Sequence, residues 1–340
     1  MNPATDWSET IPPEEAERNE RLAAKLRDLQ LLRAQKYPLG RGLHYKAHGG
    51  LRGELEVLPD LPEWARVGIF AAPGCYRAYV RFSNGAGHSQ PDKVDDVRGF
   101  AVKVVGVPGE KLIEGMKDAM TQDFLAILTP SLPFASAEEF VAVSEAFAGP
   151  PWKILPTLLR ATGWRRLLPF LGDLKAFVGV KANSLTEATF YTPAPIRWGD
   201  YAVKYSFVPE NPTGVGSDDP RDPLRVDLAN RLRKGGVSWV MRVQPYVNPT
   251  ATPIEDNRRA WDEAASPWVN VARLSLPTQD PDSEQGRKLG EWVERLSFDP
   301  WHAPVEFRPL GEAMRARSAA YRESTIARKA APEPDGSETI

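Results

Sequence analysis

The chain has 340 residues, 43 Lys and Arg against 45 Asp and Glu, a formal net charge of −2, and 42% hydrophobic residues. That length allows one large domain or two small ones, and a near balance of charge gives no reason to expect nucleic acid or an acidic membrane as partner. Cys75 is the single cysteine, which excludes an internal disulfide and any cysteine cluster for zinc or iron–sulfur.

Proline is plentiful, 32 residues against a usual usage of about 5%, which favours loops over long helical bundles. The N-terminus is polar and acidic, without the apolar core of a signal peptide. No run of about 18 apolar residues occurs, so the expectation is a cytoplasmic protein with no transmembrane segment.

In chain order, residues 1–12 read as a disordered tail. Residues 13–36 read as an amphipathic helix with Leu22, Leu26, Leu29 and Leu32 near helical spacing, a packing helix rather than a membrane binder. Eight segments have strand character: Leu51–Leu58, Tyr76–Ser83, Phe100–Val107, Phe124–Leu128, Leu185–Thr192, Tyr201–Val208, Val237–Val247 and Val269–Leu276. Tyr201, Val203, Tyr205 and Phe207 share one face, as do Trp239, Met241 and Val243, a period of two that marks a face on a core. Further helices are predicted over 136–147, 152–171, 222–234, 283–296 and 308–331. From Ser324 the chain turns polar and carries a disorder-prone Pro-Glu-Pro-Asp-Gly over 332–336.

Eight strands at these intervals predict an α+β fold: an eight-stranded antiparallel barrel with flanking helices, wide enough inside for side chains or one ligand. There is no internal repeat and no second-domain boundary. The organisation expected is a tail and helix over 1–37, one domain over 38–331, and a disordered tail over 332–340.

Two blocks stand out. Val80-Arg81-Phe82-Ser83 and Asp96-Val97-Arg98-Gly99-Phe100-Ala101-Val102-Lys103 set arginines on apolar strands. An unpaired buried charge is costly, so carboxylates are expected beside Arg81 and Arg98, either Asp95 and Asp96 or those of a ligand. Together the blocks resemble the central signature of the haem catalase superfamily. The chain lacks the length of full catalases and is similar to the small catalase-related haemoproteins.

That resemblance implies a catalase-type barrel with haem b (Fe) between the barrel and the last helix. Arg317 and Tyr321, one helical turn apart, match the family's R-x-x-x-Y element, in which the tyrosine is the proximal iron ligand. A phenol normally titrates near ~10, and a neighbouring guanidinium with Fe(III) favours the phenolate. By itself the pair also suits a tyrosine packed on the barrel. The family's propionate-binding Arg three residues before the distal His matches Arg41 and His44. His48 remains a rival base, since it adjoins Gly49-Gly50 at the start of the first strand. His88 and His302 read as surface or structural residues. Ser83 matches the serine that hydrogen-bonds the distal His and fixes its tautomer; alone, it reads equally as a strand-end hydroxyl. Arg81 and Arg328 join Arg41 as partners for the propionates.

The family's distal asparagine has no match: the best-placed residue is Leu128, with Gln122 or Asn84 as substitutes. Leu43 stands where the allene oxide synthase branch carries threonine. Trp152–Leu171 combines apolar residues with Lys153, Arg160, Arg165 and Arg166. It reads either as a wall guiding a lipid hydroperoxide or as a helix pair packed on the barrel with snorkelling cations, and the second is favoured.

The function implied is a haem-dependent hydroperoxidase, a catalase-like peroxidase that reduces hydrogen peroxide or organic and fatty-acid hydroperoxides by heterolytic O–O cleavage. A small organic electron donor or a second peroxide completes the cycle, and the resemblance allows a homo-oligomer. The alternatives are a haem-binding or sensing protein with a degraded distal pocket, and a cofactor-free barrel binding an apolar ligand.

Overall fold

The computed structural model describes residues 3–212, 217 and 219–338. Its strands in chain order are β1 (Ala47–Val57), β2 (Gly74–Asn84), β3 (Arg98–Val105), β4 (Thr121–Ile127), β5 (Phe190–Tyr191), β6 (Ile196–Trp198), β7 (Tyr201–Pro209), β8 (Val237–Pro245) and β9 (Val269–Leu276). The helices are α1 (Glu15–Arg33), α2 (Ala137–Ala148), α3 (Ile154–Thr162), α4 (Trp164–Val178), α5 (Pro223–Lys234), α6 (Glu284–Arg295) and α7 (Glu312–Ala327).

All strand pairings are antiparallel and run β5-β4-β3-β2-β1-β9-β8-β7-β6, with β5 also pairing β7. That last pairing closes eight strands into a barrel and leaves β6 as an annex hairpin on β7. The seam is short. Leu185–Thr192, expected as a full strand, is a 3-10 turn over Leu185–Glu187 followed by the two-residue β5. Leu185 still reaches the core, fully buried in the turn rather than in a ladder.

Side chains, not a ligand, fill the barrel. Phe82, Phe100, Phe124, Phe190, Phe207 and Trp239 are at most 1% exposed and pack ring to ring, with Phe100 4.8 Å from both Phe82 and Phe190. The alternating faces Val203-Tyr205-Phe207 and Trp239-Met241-Val243 point into this core. Burying each such side chain is worth roughly 1.5–3 kcal/mol, so the wall is rigid enough to carry chemistry on its outside.

Helix starts follow local chemistry. Ser136 caps α2 by accepting from Glu139 N at 3.4 Å, and Ser283 caps α6 by accepting from Gly286 N at 3.0 Å. The 152–171 segment is two helices, because Gly163 adopts φ of +72° between α3 and α4. Both tails pack on the body rather than standing free. Glu9 pairs with Arg308 and Arg315, and Ala4 and Trp7 sit against Tyr246 and Trp261. Near the C-terminus Glu333 pairs with the buried Lys103 and accepts from Thr121 Oγ1 at 2.6 Å. Low apolar content suggested disorder for these segments, but buried cations on the body supply the partners that composition does not reveal.

Candidate active site

Because β2, β3 and β4 alternate in and out, their odd-numbered residues form an outer face. The pairing registers align them in rungs: Ser83–Gly99–Ile127, Arg81–Ala101–Leu125 and Tyr79–Lys103–Asp123. The middle strand contributes glycine and alanine to the first two rungs, which leaves a flat floor flanked by Ser83 and Arg81. Over this floor lies a cavity of about 1100 Å³, roofed by α1, α2, α4 and α7.

His44 stands at one end of it. Its φ of +54° is left-handed, a conformation costly for a residue with a side chain and found at functional sites. Three bonds hold it there. His44 N–H donates to Gly85 O at 2.9 Å, Arg81 Nη2 donates to His44 O at 2.8 Å, and the ring Nδ1 pairs with Ser83 Oγ at 3.0 Å. Nε2 is left as the nitrogen available to the cavity. Burial, reinforced by Arg81, Arg317 and Arg41, pushes its pKa down to about 3, so the imidazole is neutral across the physiological range.

α7 brings the second group. Arg317 Nη2 donates to Tyr321 Oη at 2.8 Å, with the guanidinium 5.1 Å from the ring centre, and both residues line the cavity. Burial opposes charge on Arg317, but Tyr321, with Tyr205 and Asp299, outweighs it and raises the Arg317 pKa.

Along another wall, cations outnumber anions. Arg41 bonds Glu294 and Leu296 O, Arg81 Nε donates to Glu294 Oε2 at 2.7 Å, and Arg328 Nη2 donates to Leu296 O at 2.9 Å. Burial drives the Arg41 pKa well down, with Arg81 adding repulsion, and brings Arg328 to about 10. Glu294 is itself held below its usual value, since Arg81 and Arg41 overcome its burial. Among the described residues, three guanidiniums thus share one carboxylate here.

Glu294 was not legible in the sequence: it lies 213 residues from Arg81 on a helix with no motif. The carboxylates expected beside the motif arginines make no direct bond to Arg98, although Asp96, Asp92 and Asp95 act on it through space against the burial that lowers its pKa. Arg98 donates to Asn84 Oδ1 at 2.6 Å and to Asp92 O at 2.6 Å, while Asp96 accepts from Ala86 N and Gln90 Nε2.

Most of the other sequence candidates fall outside the cavity. His48 is buried, with Nε2 2.6 Å from Asn84 Oδ1 and Asp92 behind it, and it does not line the cavity. Leu128 follows the end of β4, packs on the barrel core and lines a smaller pocket with Asn183 and Tyr191. It therefore does not occupy the place of a peroxide-orienting asparagine, and β4 presents Leu125, Ala126 and Ile127 to the cavity instead. Asn84 is committed to His48 and Arg98 and Gln122 is buried, and neither lines the cavity. His88, by contrast, does line the cavity, where it stacks on Tyr37 at 6.1 Å.

His302 Nδ1 lies 2.9 Å from Asp123 Oδ2. Asp123, His302 and Glu333 offer ligand atoms within 4.8 Å of one another, yet the Lys103 ammonium sits among them, 2.7 Å from Asp123 Oδ1. That cluster already has its cation.

The leucine stripe of α1 shows a feature that periodicity leaves open. Leu22, Leu26, Leu29 and Leu32 line the cavity rather than a closed core. Phe140, Leu171, Leu174 and Phe177 continue the same apolar wall on α2 and α4.

No protein-family model matches the chain, and no curated protein does. Solved structures do. A fungal catalase superposes with a TM-score of 0.67 at 17% identity over 90% of this chain and 61% of its own. Catalase A from Saccharomyces cerevisiae gives 0.66 at 15% identity, covering 88% and 63%, and a bacterial catalase 0.65 at 18%, covering 96% and 64%. The chain spans less than two thirds of the length of each. The barrel, its flanking helices and their order are the catalase fold.

Proposed function

We propose that this chain is a haem-dependent hydroperoxidase of catalase-like architecture, acting on hydrogen peroxide or organic hydroperoxides. The observation that carries this reading is the convergence of two separate pairs, His44–Ser83 and Arg317–Tyr321, on one apolar cavity.

The residues fit haem b on three counts. The cation surplus of Arg41, Arg81 and Arg328 over Glu294 suits the two carboxylates of a propionate-bearing cofactor. The Gly99–Ala101 floor suits a flat ring. Tyr321, gripped by Arg317, offers an anionic oxygen of the kind that binds ferric iron. When bound, haem supplies the redox-active iron at which a peroxide O–O bond can be opened.

The protein's part is proton handling and exclusion of water. With Nδ1–H donating to Ser83 Oγ, His44 Nε2 carries the lone pair, takes a proton from the nearer peroxide oxygen and returns it to the leaving oxygen. Its depressed pKa keeps that lone pair free. Phe100, Leu125, Ala126, Ile127 and Phe298 keep the lining apolar, which strengthens every polar contact inside. A cavity of about 1100 Å³ exceeds the common ~300–1,000 Å³ of small-molecule sites, leaving room for an organic hydroperoxide or donor as well as the cofactor.

An absorption spectrum of protein purified after haem-replete expression, before and after peroxide, tests the proposal. A ferric haem spectrum that changes with peroxide and recovers with an organic donor supports it. A colourless protein overturns it in favour of a cofactor-free barrel, and a coloured protein inert to peroxide in favour of a sensor.

A further inference from the structure

We propose that the α3–α4 hairpin is a membrane-docking surface that seats this protein on an anionic lipid bilayer. Each of the two helices has two apolar faces. One face packs inward: Leu158, Phe170 and Leu174 are buried with Phe134 and Ala146 in a cluster of their own. The other is bare. Trp152 is 72% exposed, Leu155 56%, Leu159 41%, Trp164 75% and Leu168 78%. Leu155 and Leu159 fall on one stripe of α3, with Trp152 in the 3-10 turn just before it, and Trp164 and Leu168 fall on one stripe of α4. A patch of this kind marks an interaction site, and the packing expected for this segment accounts for only half of its apolar residues.

Charge selects the occupant. Between Pro150 and Gly172 the chain has Lys153, Arg160, Arg165 and Arg166 and no acidic residue. Arg166 is paired with Glu139 of α2, and Lys153, Arg160 and Arg165 make up a local excess that the overall charge of −2 conceals. Lys153 lies 5.0 Å from the Trp152 ring centre and Arg165 5.0 Å from that of Trp164, so cation and indole are presented together. Tryptophan, leucine and basic residues on one exposed face are the composition of a helix lying at the headgroup–acyl boundary. A second copy is a poor occupant, because a self-complementary contact would set these cations against their own images.

The placement has a use. Phe147 lines the cavity and is 63% exposed, so the cavity reaches the surface at the end of α2, from which the chain runs directly into Trp152. A docked hairpin would hold that opening beside the bilayer.

The test is cosedimentation of the full-length protein with phosphatidylcholine vesicles, with and without phosphatidylglycerol. Wild-type protein should pellet with the anionic vesicles and be released by raised salt. Trp152→Ser with Trp164→Ser should lower the partition coefficient by roughly 100-fold, about one decade per large apolar side chain. Arg160→Gln with Arg165→Gln should abolish the preference for anionic over neutral lipid. None of these side chains lines the cavity, so peroxide consumption in solution should be unchanged in both variants. Wild-type protein that stays in the supernatant with anionic vesicles overturns the proposal, as does binding that neither variant weakens. If the tryptophan variant instead converts a wild-type dimer to monomer without any lipid binding, the face belongs to a second copy and the proposal fails.

Discussion

Gly99 leaves no room for a side chain beside His44: a Cβ there would stand 2.6 Å from the imidazole Nδ1 and 2.8 Å from Ser83 Oγ. The glycine of the R-G-F segment is thus a steric requirement of the neighbouring histidine–serine pair. Gly99→Ala should leave the barrel intact, since the position is ordinary strand, but push His44 off Ser83. The rate constant for peroxide with haem-loaded protein should fall by about 10²-fold or more, within the range of general acid–base help. An unchanged rate would mean that the ring does not move the proton.

His44 and His48 should separate by what they damage. His44→Ala should keep haem and lose roughly 10²–10⁴-fold in peroxide reactivity. His48→Ala should leave the rate nearly intact and cost stability, because it strips a partner from the buried Asn84–Asp92 network; about 1–3 kcal/mol is typical of such a loss. Rates on haem-loaded protein and urea midpoints on both variants decide it, and the reverse ranking would move the role to His48.

Tyr321→Phe removes the oxygen that Arg317 grips and should leave haem absent or loosely held, read from the ratio of haem to protein absorbance. Arg317→Ala should be milder, weakening retention without emptying the site. Full occupancy and an unchanged ferric spectrum in Tyr321→Phe would remove Tyr321 as the ligand.

The His44 pKa also makes a statement about stability. In the folded chain, burial and then Arg81, Arg317 and Arg41 push it down to about 3, whereas an unfolded histidine titrates near ~6.5. Between those values the unfolded chain holds a proton that the folded chain refuses. The contribution is therefore complete above pH ~6.5 and is lost as pH falls toward the folded value, by at most about 1.4 kcal/mol per pH unit for this ring. Urea unfolding of haem-free protein between about pH 7 and 5 should show the loss, and His44→Gln should reduce it while leaving the share of buried His48, whose pKa is pushed down to about 4. Identical slopes in the two proteins would refute the assignment.

Much of this site was legible because a strand's alternation is strict. Val80-Arg81-Phe82-Ser83 tells which residues enter the core and which face out, and both motif blocks fall on strands whose outer faces floor the cavity. Parity also explains a failure. The outward positions of β4 are Asp123, Leu125 and Ile127, and Leu128 lies past its end, so a match by local resemblance set it in a site that it does not reach. Glu294 escaped notice because its pairing with Arg81 is fixed only by how α6 packs on β1. That packing turns on Gly50, where a Cβ would meet Val293 Cβ at 2.6 Å, a close approach that no periodicity announces. The contacts of the tails are hidden for a related reason: their own composition is polar, while Arg315 and Lys103, which pair with Glu9 and Glu333, are far away in sequence.

Lys103 supplies the last test, because the lysine ending the second motif block shares the outer face of β3 with Gly99 and Ala101 but lies beyond the cavity. It is buried with Asp123, Glu333 and His302 around its ammonium. Burial opposes its charge, but Asp123 and Glu333 overcome that and raise its pKa. Removing one member of such a buried cluster leaves an uncompensated charge and typically costs about 3–5 kcal/mol. Lys103→Met should therefore lower the urea midpoint strongly and free the C-terminal segment to proteolysis near Glu333. Adding Asp123→Asn and Glu333→Gln should recover much of the loss, since neutral partners need no cation. A destabilised single variant that the added changes fail to rescue would show that Lys103 does not act by balancing the charges of Asp123 and Glu333.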